Sequence, residues 1–165
     1  GLVKRSGDLL ALAEQGEFTA IIHGCNCFHT MGGGIAAQIA KRYPRAYEAD
    51  SHGGRFGDYD KLGNFTHAYV SSNENPLVGS PTKAFGIINA YTQFSTSSGE
   101  DVFEYAAFEL VLNKVLKKFG PIHYGLPYIG MGLAGGDKDR IMPIIHAWAE
   151  KVTKAGGTVT LVEFK

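Results

Sequence analysis

The stretch Thr-Ala-Ile-Ile-His-Gly-Cys-Asn-Cys-Phe-His-Thr-Met-Gly-Gly-Gly-Ile-Ala, residues 19–36, decides the fold. Its first part, Thr19–Gly24, is apolar and rich in β-branched residues, which predicts a buried strand. A polar turn follows and ends in three glycines, after which apolar residues recur at helical spacing. A strand, a glycine turn and a helix N-terminus together favour an anion, through backbone N–H groups and the helix dipole. The alternative is a tight turn without a ligand, although a plain turn rarely needs three consecutive glycines.

Composition and charge narrow the class of protein. The 165 residues are enough for one domain with a proper core, and 44% hydrophobic with 19% charged residues indicates a globular chain. The formal net charge is zero, whereas proteins that bind long nucleic acids usually carry a basic excess. Because we find neither a membrane-length apolar run nor a signal-peptide pattern, we expect a cytoplasmic protein without membrane association.

The two cysteines raise the question of a metal or a disulfide. Cys25 and Cys27 combine with His23 and His29 into His-x-Cys-x-Cys-x-His. An extended chain places alternate residues about 6.6 Å apart in a line, whereas zinc holds its four ligands at about 2.0–2.3 Å. The four side chains converge only if the loop folds back, and neighbours two apart on a strand bridge poorly. We therefore expect no metal site and a reducing compartment.

Strands and helices alternate along the chain. The predicted strands are Leu2–Ser6, Thr19–Gly24, Phe65–Val70, Ala84–Tyr91, Ile122–Tyr128 and Thr158–Phe164. The predicted helices are Leu9–Glu14, Gly34–Tyr43, Arg45–Ser51, a long one from Glu100 or Asp101 to Phe119, and Lys138–Lys154. Residues 71–83 are predicted to form a turn or hairpin loop. The alternation is typical of an α/β domain with a mostly parallel sheet between helix layers, and we expect one domain over residues 1–165.

A second glycine loop, residues 130–137, contains Gly-x-Gly-x-x-Gly. A dinucleotide-binding fold carries this pattern at its first strand–helix turn, whereas here it lies near the C-terminus. Neither glycine loop has the Gly-Lys-Ser/Thr of a P-loop. Both loops follow a buried strand and precede a helix, so they are expected at the carboxyl ends of strands, where open α/β sheets bind ligands. Two anion cradles close together suit a diphosphate.

Three separated motifs resemble the macro domain family. They are Gly-Asp-Leu at 7–9, Cys-Asn-Cys-Phe-His-Thr-Met-Gly-Gly-Gly-Ile-Ala at 25–36 and Leu-Pro-Tyr-Ile-Gly-Met-Gly-Leu-Ala-Gly-Gly-Asp at 126–137. The motifs stand in the expected order, and the chain is most similar to the branch of ADP-ribose 1''-phosphate phosphatases and related phage proteins. The resemblance implies a three-layer α/β/α fold with a central mixed, mostly parallel sheet. It also implies a cleft that binds ADP-ribose or its 1''-phosphate without a cofactor.

The same resemblance assigns residues to the ligand. Asp8, which is also placed to cap a helix, would bond the adenine amino group with Leu9 beside it, and Asn26 would reach the distal ribose. The other implied binding residues lie in the two glycine loops and at strand ends: Gly24, Cys25, Met31, Gly32, Gly33, Gly34, Ile35, Thr92, Gln93, Gly130, Met131, Gly132, Leu133, Ala134, Gly135 and Gly136. Phe94 is a candidate aromatic wall, or a buried core residue.

For the chemistry we predict the pair His23 and Asp137. His23 can titrate near neutral pH and lies on the strand that enters the first loop, and Asp137 follows the second loop. Together they would supply the proton transfers that hydrolyse ADP-ribose 1''-phosphate to ADP-ribose and phosphate. Each also has a structural interpretation, His23 as a core histidine and Asp137 as the cap of the helix at Lys138. His29 in the first loop is an alternative acid.

Two other functions stay open. One is hydrolysis of ADP-ribose from modified protein or nucleic acid, which is the only way in which we expect nucleic acid as a partner. One branch of the resembling family uses a lysine for this reaction where the present chain has Gln93, but Asn26 and Asp137 would still support attack by water. The other is a non-catalytic ADP-ribose reader, for which binding groups suffice.

Overall fold

Six strands form one mixed sheet in the structure, a computed structural model that describes residues 1–31, 34–71, 83–95, 101–132 and 134–165. They are β1 (Leu2–Gly7), β2 (Ala20–Cys25), β3 (Phe65–Val70), β4 (Phe85–Tyr91), β5 (His123–Leu126) and β6 (Thr158–Phe164). Their order across the sheet is β1-β6-β5-β2-β4-β3. All neighbours are parallel except β3 and β4, which are antiparallel.

Helices cover both faces of this sheet. They are α1 (Leu9–Glu14), α2 (Gly34–Arg42), α3 (Pro44–His52), α4 (Tyr105–Phe119) and α5 (Lys138–Ala155), with a short 3₁₀ turn at Tyr59–Lys61. One apolar core lies between the sheet and α4 and α5, and a second lies between the sheet and α1, α2 and α3. The predicted three-layer α/β/α fold is therefore confirmed. No helix within the described parts of the chain is both long and apolar enough to cross a membrane.

The central strand β2 explains why residues 19–24 read as a continuous apolar run. Ile22 packs into the core under α4 and α5, whereas Ile21 packs into the core on the opposite face. Parallel strands on both sides, β4 and β5, complete its backbone hydrogen bonds. A strand buried on both faces needs apolar side chains at consecutive positions rather than at alternate ones.

Two predicted boundaries are wrong. The long helix α4 begins at Tyr105 and not near residue 101, because the Glu104 N–H donates to the Thr92 carbonyl (2.7 Å) and Phe103 pairs with Gln93. The fifth strand is shorter than Ile122–Tyr128 and ends at Leu126, since Pro127 has no N–H to continue the ladder. Predictions for Gly32, Gly33, Leu133, most of the 71–83 loop (72–82) and 96–100 fall outside the described residues.

Candidate ligand-binding cleft

A cleft of about 690 Å³ opens at the carboxyl ends of β2, β4 and β5. Its size falls within the range of small-molecule sites. The first loop and the start of α2 form one side, and the loop after β5 forms the other. The described residues that line it are Gly24, Cys25, Asn26, Thr30, Met31, Gly34, Ile35, Ala36, Asp50, Thr92, Gln93, Pro127, Tyr128, Ile129, Gly130, Gly132 and Ala134.

Most of the described residues that we assigned to the ligand meet in this cleft. Those that line it are Gly24, Cys25, Asn26, Met31, Gly34, Ile35, Thr92, Gln93, Gly130, Gly132 and Ala134. Those that do not line it are Asp8, Leu9, Met131, Gly135 and Gly136. Thr30, Ala36 and residues 127–129 were missed although they lie inside the quoted motifs. Asp50 was missed because no motif surrounds it.

The first loop is held in shape by its own side chains. The Asn26 Oδ1 accepts a hydrogen bond from the Phe28 N–H (2.8 Å), and its Nδ2 donates to the Thr30 hydroxyl (2.6 Å). His29 and Met31 both have positive φ, which is uncommon outside glycine and marks a tight, strained turn. Helix α2 then begins at Gly34, in the wall of the cleft.

The second loop depends on a close approach at Gly130. Its φ of 77° is in the left-handed region, and a Cβ at this position would overlap the ring of Phe103. The Gly136 N–H donates to the Gly130 carbonyl (2.8 Å) and closes the loop before α5. The glycines that suggested a phosphate loop are thus also required for packing.

Thr92 places an unused hydroxyl in the wall of the cleft. Its Oγ1 is buried and has no hydrogen-bond partner among the described residues. A Cβ at Gly24 would lie 2.9 Å from this oxygen, so the glycine makes room for it. Leaving a buried hydroxyl unpaired costs about 1–3 kcal/mol, and such groups in native proteins call for a partner such as a ligand or water.

Neither member of the predicted catalytic pair lines the cleft. His23 is fully buried, its Nε2 lies 2.6 Å from the Asn89 Oδ1, and burial lowers its pKa. Asp137 caps α5, where its carboxylate accepts from the Asp139 N–H (2.9 Å). His23 is thus a core histidine and Asp137 a helix cap, and their catalytic role stays a prediction. Asp8 likewise caps α1 by accepting from the Ala11 N–H (3.1 Å).

A chain of buried hydrogen bonds runs from His23 toward the cleft. The Asn89 Nδ2 donates to the Ala46 carbonyl (3.0 Å) and to the Thr66 Oγ1 (3.1 Å). Since both amide hydrogens are used, the Asn89 Oδ1 accepts, and the His23 Nε2 must carry the proton that it receives. Thr66 lies 2.7 Å from the Tyr91 hydroxyl, which continues the chain.

The chain ends on the carboxylate of Asp50. The Tyr91 hydroxyl donates to the Asp50 Oδ1 (2.6 Å), and the Lys61 Nζ lies 3.3 Å from the same oxygen. Burial and the bond to Asp50 raise the pKa of Tyr91, so its hydroxyl keeps the proton that it donates. Lys61 also donates to the Asp50 backbone carbonyl (3.0 Å) and lies 4.2 Å from the Tyr91 ring centre. Asp50 is the one member of the ion pair that lines the cleft.

The described lining of the cleft contains one acidic and no basic side chain. All lysines and arginines of the chain lie within the described residues, and none of them lines the cleft. Asp50 is the only charged side chain among the lining residues that the structure describes. Any phosphate group in the cleft therefore has backbone N–H groups and the N-terminus of α2 as its positive partners.

Phe94 belongs to an aromatic cluster beside the cleft rather than to its lining. It stacks on Tyr59 with ring centres 3.6 Å apart, and Phe28 meets it edge-on at 4.9 Å. Phe56 continues the cluster at 4.9 Å from Phe28 and is largely exposed. Phe94 is half-buried, and it neither lines the cleft nor belongs to the main core.

The cysteines are free and buried. Burial raises the pKa of Cys25 well above its ordinary value and that of Cys27 to about 11, so both are thiols at neutral pH. Cys25 lines the cleft with its sulfur 3.8 Å from the His23 Nδ1. The structure holds no group of three His, Cys, Asp or Glu side chains able to bind a metal, as far as its described residues go.

Comparison with known proteins agrees with this architecture. The macrodomain of Mycobacterium tuberculosis DarG superposes with a TM-score of 0.69 at 20% identity, covering 98% of this chain and 97% of its own. Thermosipho africanus DarTG, solved in complex with ADP-ribose, gives a TM-score of 0.74 at 17% identity over 99% of this chain and 41% of its own. No model of a known protein family matches the chain.

A sequence relative decides the family. An uncharacterized 17.5 kDa protein from the tk–vs intergenic region of Enterobacteria phage T4 is 36% identical over 156 residues, which covers 88% of each chain. This chain belongs to the same family as that phage protein and has the macrodomain fold. The cleft of this macrodomain lies at the carboxyl ends of the strands, with Gly34 on one side and Gly130 on the other.

Proposed function

We propose that this macrodomain binds ADP-ribose in its cleft. The observation that carries the proposal is the buried, unpartnered hydroxyl of Thr92 in the wall of a cleft between two glycine loops. A ligand that supplies a hydrogen bond there removes a penalty of about 1–3 kcal/mol. The same fold in Thermosipho africanus DarTG, solved with ADP-ribose, supports this choice of ligand.

Backbone groups would hold the diphosphate. No lysine or arginine among the described residues lines the cleft, whereas α2 begins in its wall at Gly34. A helix N-terminus carries roughly half a positive charge and free N–H groups, which makes it a common phosphate site.

The remaining contacts follow the resemblance. Asn26 would meet the distal ribose, with Thr92 and Gln93 bordering the same end. Asp8 and Leu9 would meet the adenine base, although neither lines the cleft as described. The second glycine loop, Gly130 to Gly136, would cover the other side of the diphosphate.

We further propose that the protein is a hydrolase acting at the distal ribose. The first candidate reaction is hydrolysis of ADP-ribose 1''-phosphate to ADP-ribose and phosphate, and the three motifs shared with that branch of the macro domain family support it. Residues 1–165 would act as one macrodomain in the cytoplasm, where two buried, free cysteines stay reduced.

A second candidate reaction is release of ADP-ribose from a conjugate by cleavage at C1''. One observation favours it: the only charged side chain that lines the described cleft is a carboxylate. Lys61 offsets part of its charge from behind, but the Asp50 carboxylate is the charged group at the cleft wall. A carboxylate there disfavours a phosphate dianion and stabilises the positive charge that develops at C1'' when a glycosidic bond breaks. This reaction needs no cation in the cleft.

One parallel assay separates these proposals. Calorimetry with ADP-ribose, and with AMP for comparison, measures binding. The protein is then incubated with ADP-ribose 1''-phosphate and, separately, with ADP-ribose esterified to a peptide and ADP-ribose linked to an oligonucleotide. Phosphate release identifies the first reaction, and release of ADP-ribose from either conjugate identifies the second. Binding without any product identifies a reader, and absence of ADP-ribose binding contradicts the whole proposal.

A further inference from the structure

We propose that Asp50 is a catalytic residue of this cleft, whose carboxylate takes the proton of the water that attacks C1'' of an ADP-ribosyl conjugate. The inference rests on the second reaction of the proposed function. It concerns a residue that lies in α3, outside all three family motifs.

Asp50 combines deep burial with a place in the wall of the cleft. It is 1% exposed, and it lines the cleft together with Cys25 and Thr92, which end β2 and follow β4. A buried charge is costly unless partners compensate it. Ion pairs inside proteins often have only a structural role, but one that borders a cleft is a candidate functional group.

Two donors hold the carboxylate in one orientation. The Tyr91 hydroxyl and the Lys61 ammonium both bond its Oδ1, at 2.6 and 3.3 Å, and Lys61 is itself only 4% exposed. Both bonds go to one oxygen, which leaves the acceptor capacity of Oδ2 free of protein hydrogen bonds within the described chain. A fixed acceptor with spare capacity suits a water molecule better than a mobile surface carboxylate does.

The buried hydrogen bonds that lead to Asp50 share one donor-to-acceptor direction. Asn89 donates to Thr66, Thr66 donates to Tyr91, and Tyr91 donates to Asp50. Thr66 must be the donor to Tyr91, because Tyr91 has one proton and gives it to Asp50. Such a chain of hydrogen bonds strengthens each bond in it and fixes the position of the Asp50 Oδ1.

The proposed step balances in a simple way. The water oxygen forms a bond to C1'' as the bond from C1'' to its leaving group breaks, and that electron pair departs with the leaving group. The water proton passes to the Asp50 carboxylate, and solvent protonates the leaving group where its basicity requires it. The products are ADP-ribose and the free acceptor, with no oxidant, reductant or metal involved.

The test uses 4-nitrophenyl ADP-ribose, which carries 4-nitrophenol at C1'' and releases a coloured phenolate that needs no acid. Asp50→Asn keeps the shape of the side chain and its bond from Tyr91 but removes the base. We expect kcat to fall about 100-fold or more, while KM and the calorimetric Kd for ADP-ribose change less than about threefold. Glu48→Gln removes the same charge from an exposed position on the same helix and should behave like the wild type.

Tyr91→Phe provides a second variant if Asp50→Asn does not fold, as judged by circular dichroism. It keeps the ring beneath Lys61 and removes one of the two donors to Asp50. We expect kcat to fall about 2- to 12-fold, the effect of one net hydrogen bond, with KM unchanged.

The outcomes separate a chemical from a structural role. Wild-type kcat in Asp50→Asn, or a parallel loss of kcat and ADP-ribose affinity in both variants, overturns the assignment of Asp50. A wild-type protein that binds ADP-ribose but never releases nitrophenolate overturns it as well, while ADP-ribose binding stands. A wild-type protein that does not bind ADP-ribose overturns both proposals together.

Discussion

The Thr92 hydroxyl, which has no hydrogen-bond partner among the described residues, is the most informative single group of the cleft. It is buried just after β4, in the wall of the cleft. His23 is the opposite case, since its ring is equally buried but satisfied by Asn89. A buried polar atom that lacks a partner is a better pointer to a ligand than one whose partner lies within the fold.

The first prediction concerns this hydroxyl. In Thr92→Val the side chain keeps its shape and loses its donor and acceptor. We expect ADP-ribose to bind about 2- to 12-fold more weakly, since one net hydrogen bond is worth about 0.5–1.5 kcal/mol. The melting temperature should stay the same or rise, because an unpaired buried hydroxyl is removed. Calorimetry and thermal unfolding measure the two effects.

Thr160→Val is the matched control for this prediction. Thr160 lies on β6, is nearly buried and does not line the cleft. The same chemical change there should leave the affinity for ADP-ribose untouched. Equal affinities of Thr92→Val and the wild type would show that the ligand does not use this hydroxyl.

At the scale of elements, the second glycine loop is defined by packing. Gly130 combines a φ of 77° with a site where a Cβ would overlap Phe103, so two separate costs apply. Gly120, which caps α4, has nearly the same φ of 76° but no atom within 4 Å of such a Cβ. The two glycines therefore share a positive φ and differ in crowding.

The second prediction compares alanine at these two positions. Gly120→Ala should lower the free energy of unfolding by about 1–3 kcal/mol, because its φ of 76° and ψ of −167° form a conformation that only glycine adopts readily. Gly130→Ala should add roughly 1–3 kcal/mol of overpacking to that cost and weaken ligand binding by distorting the loop. Urea unfolding of both variants measures the difference, and equal destabilisation would mean that Phe103 moves aside freely.

The sequence predicts those elements whose structure depends on a short stretch of residues. The apolar run at 19–24 and the glycines at 32–34 and 130–136 report local chemistry, so β2 and the two sides of the cleft are predictable from short stretches. Asp50 is different, because its helix carries no pattern that separates a cleft carboxylate from a surface one. Its role emerges only when the order β2-β4-β3 and the 3₁₀ turn bring Tyr91 and Lys61 to it.

The sequence also does not show the direction of the His23 and Asp137 side chains. Both residues are close to the glycine loops along the chain. The direction of a side chain is set by strand alternation and by helix capping. His23 shares a face with Ile21 and points beneath α3, and Asp137 turns back onto its own helix.

For the whole molecule, burial of histidines links stability to pH. The pKa values of His23, His29 and His67 are lowered in the fold, chiefly by burial. The unfolded chain binds protons at these sites near its ordinary pKa of about 6.5, whereas the folded chain does so only at lower pH. Stability is therefore full above about pH 6.5 and is lost as the pH falls through the folded pKa values.

The third prediction follows from this sign. The free energy of unfolding, measured with urea between pH 7.5 and 5, should decrease on acidification by up to about 1.4 kcal/mol per pH unit for the fully buried His23. The contributions of His29 and His67 should be smaller, because solvent screens these more exposed side chains. His23→Gln should show a shallower decrease below pH 6.5, at the expense of some stability at pH 7.5. A pH dependence identical to that of the wild type would mean that His23 does not contribute.

The two thiols also report on motion. Cys25 forms part of the cleft wall, yet its sulfur is buried and its pKa is raised well above the ordinary value. An alkylating reagent needs an exposed thiolate, so its reaction at Cys25 must wait for the wall to open. The rate of labelling therefore reports how often the cleft wall opens locally. A ligand bound in the cleft would lower that rate without contacting the sulfur.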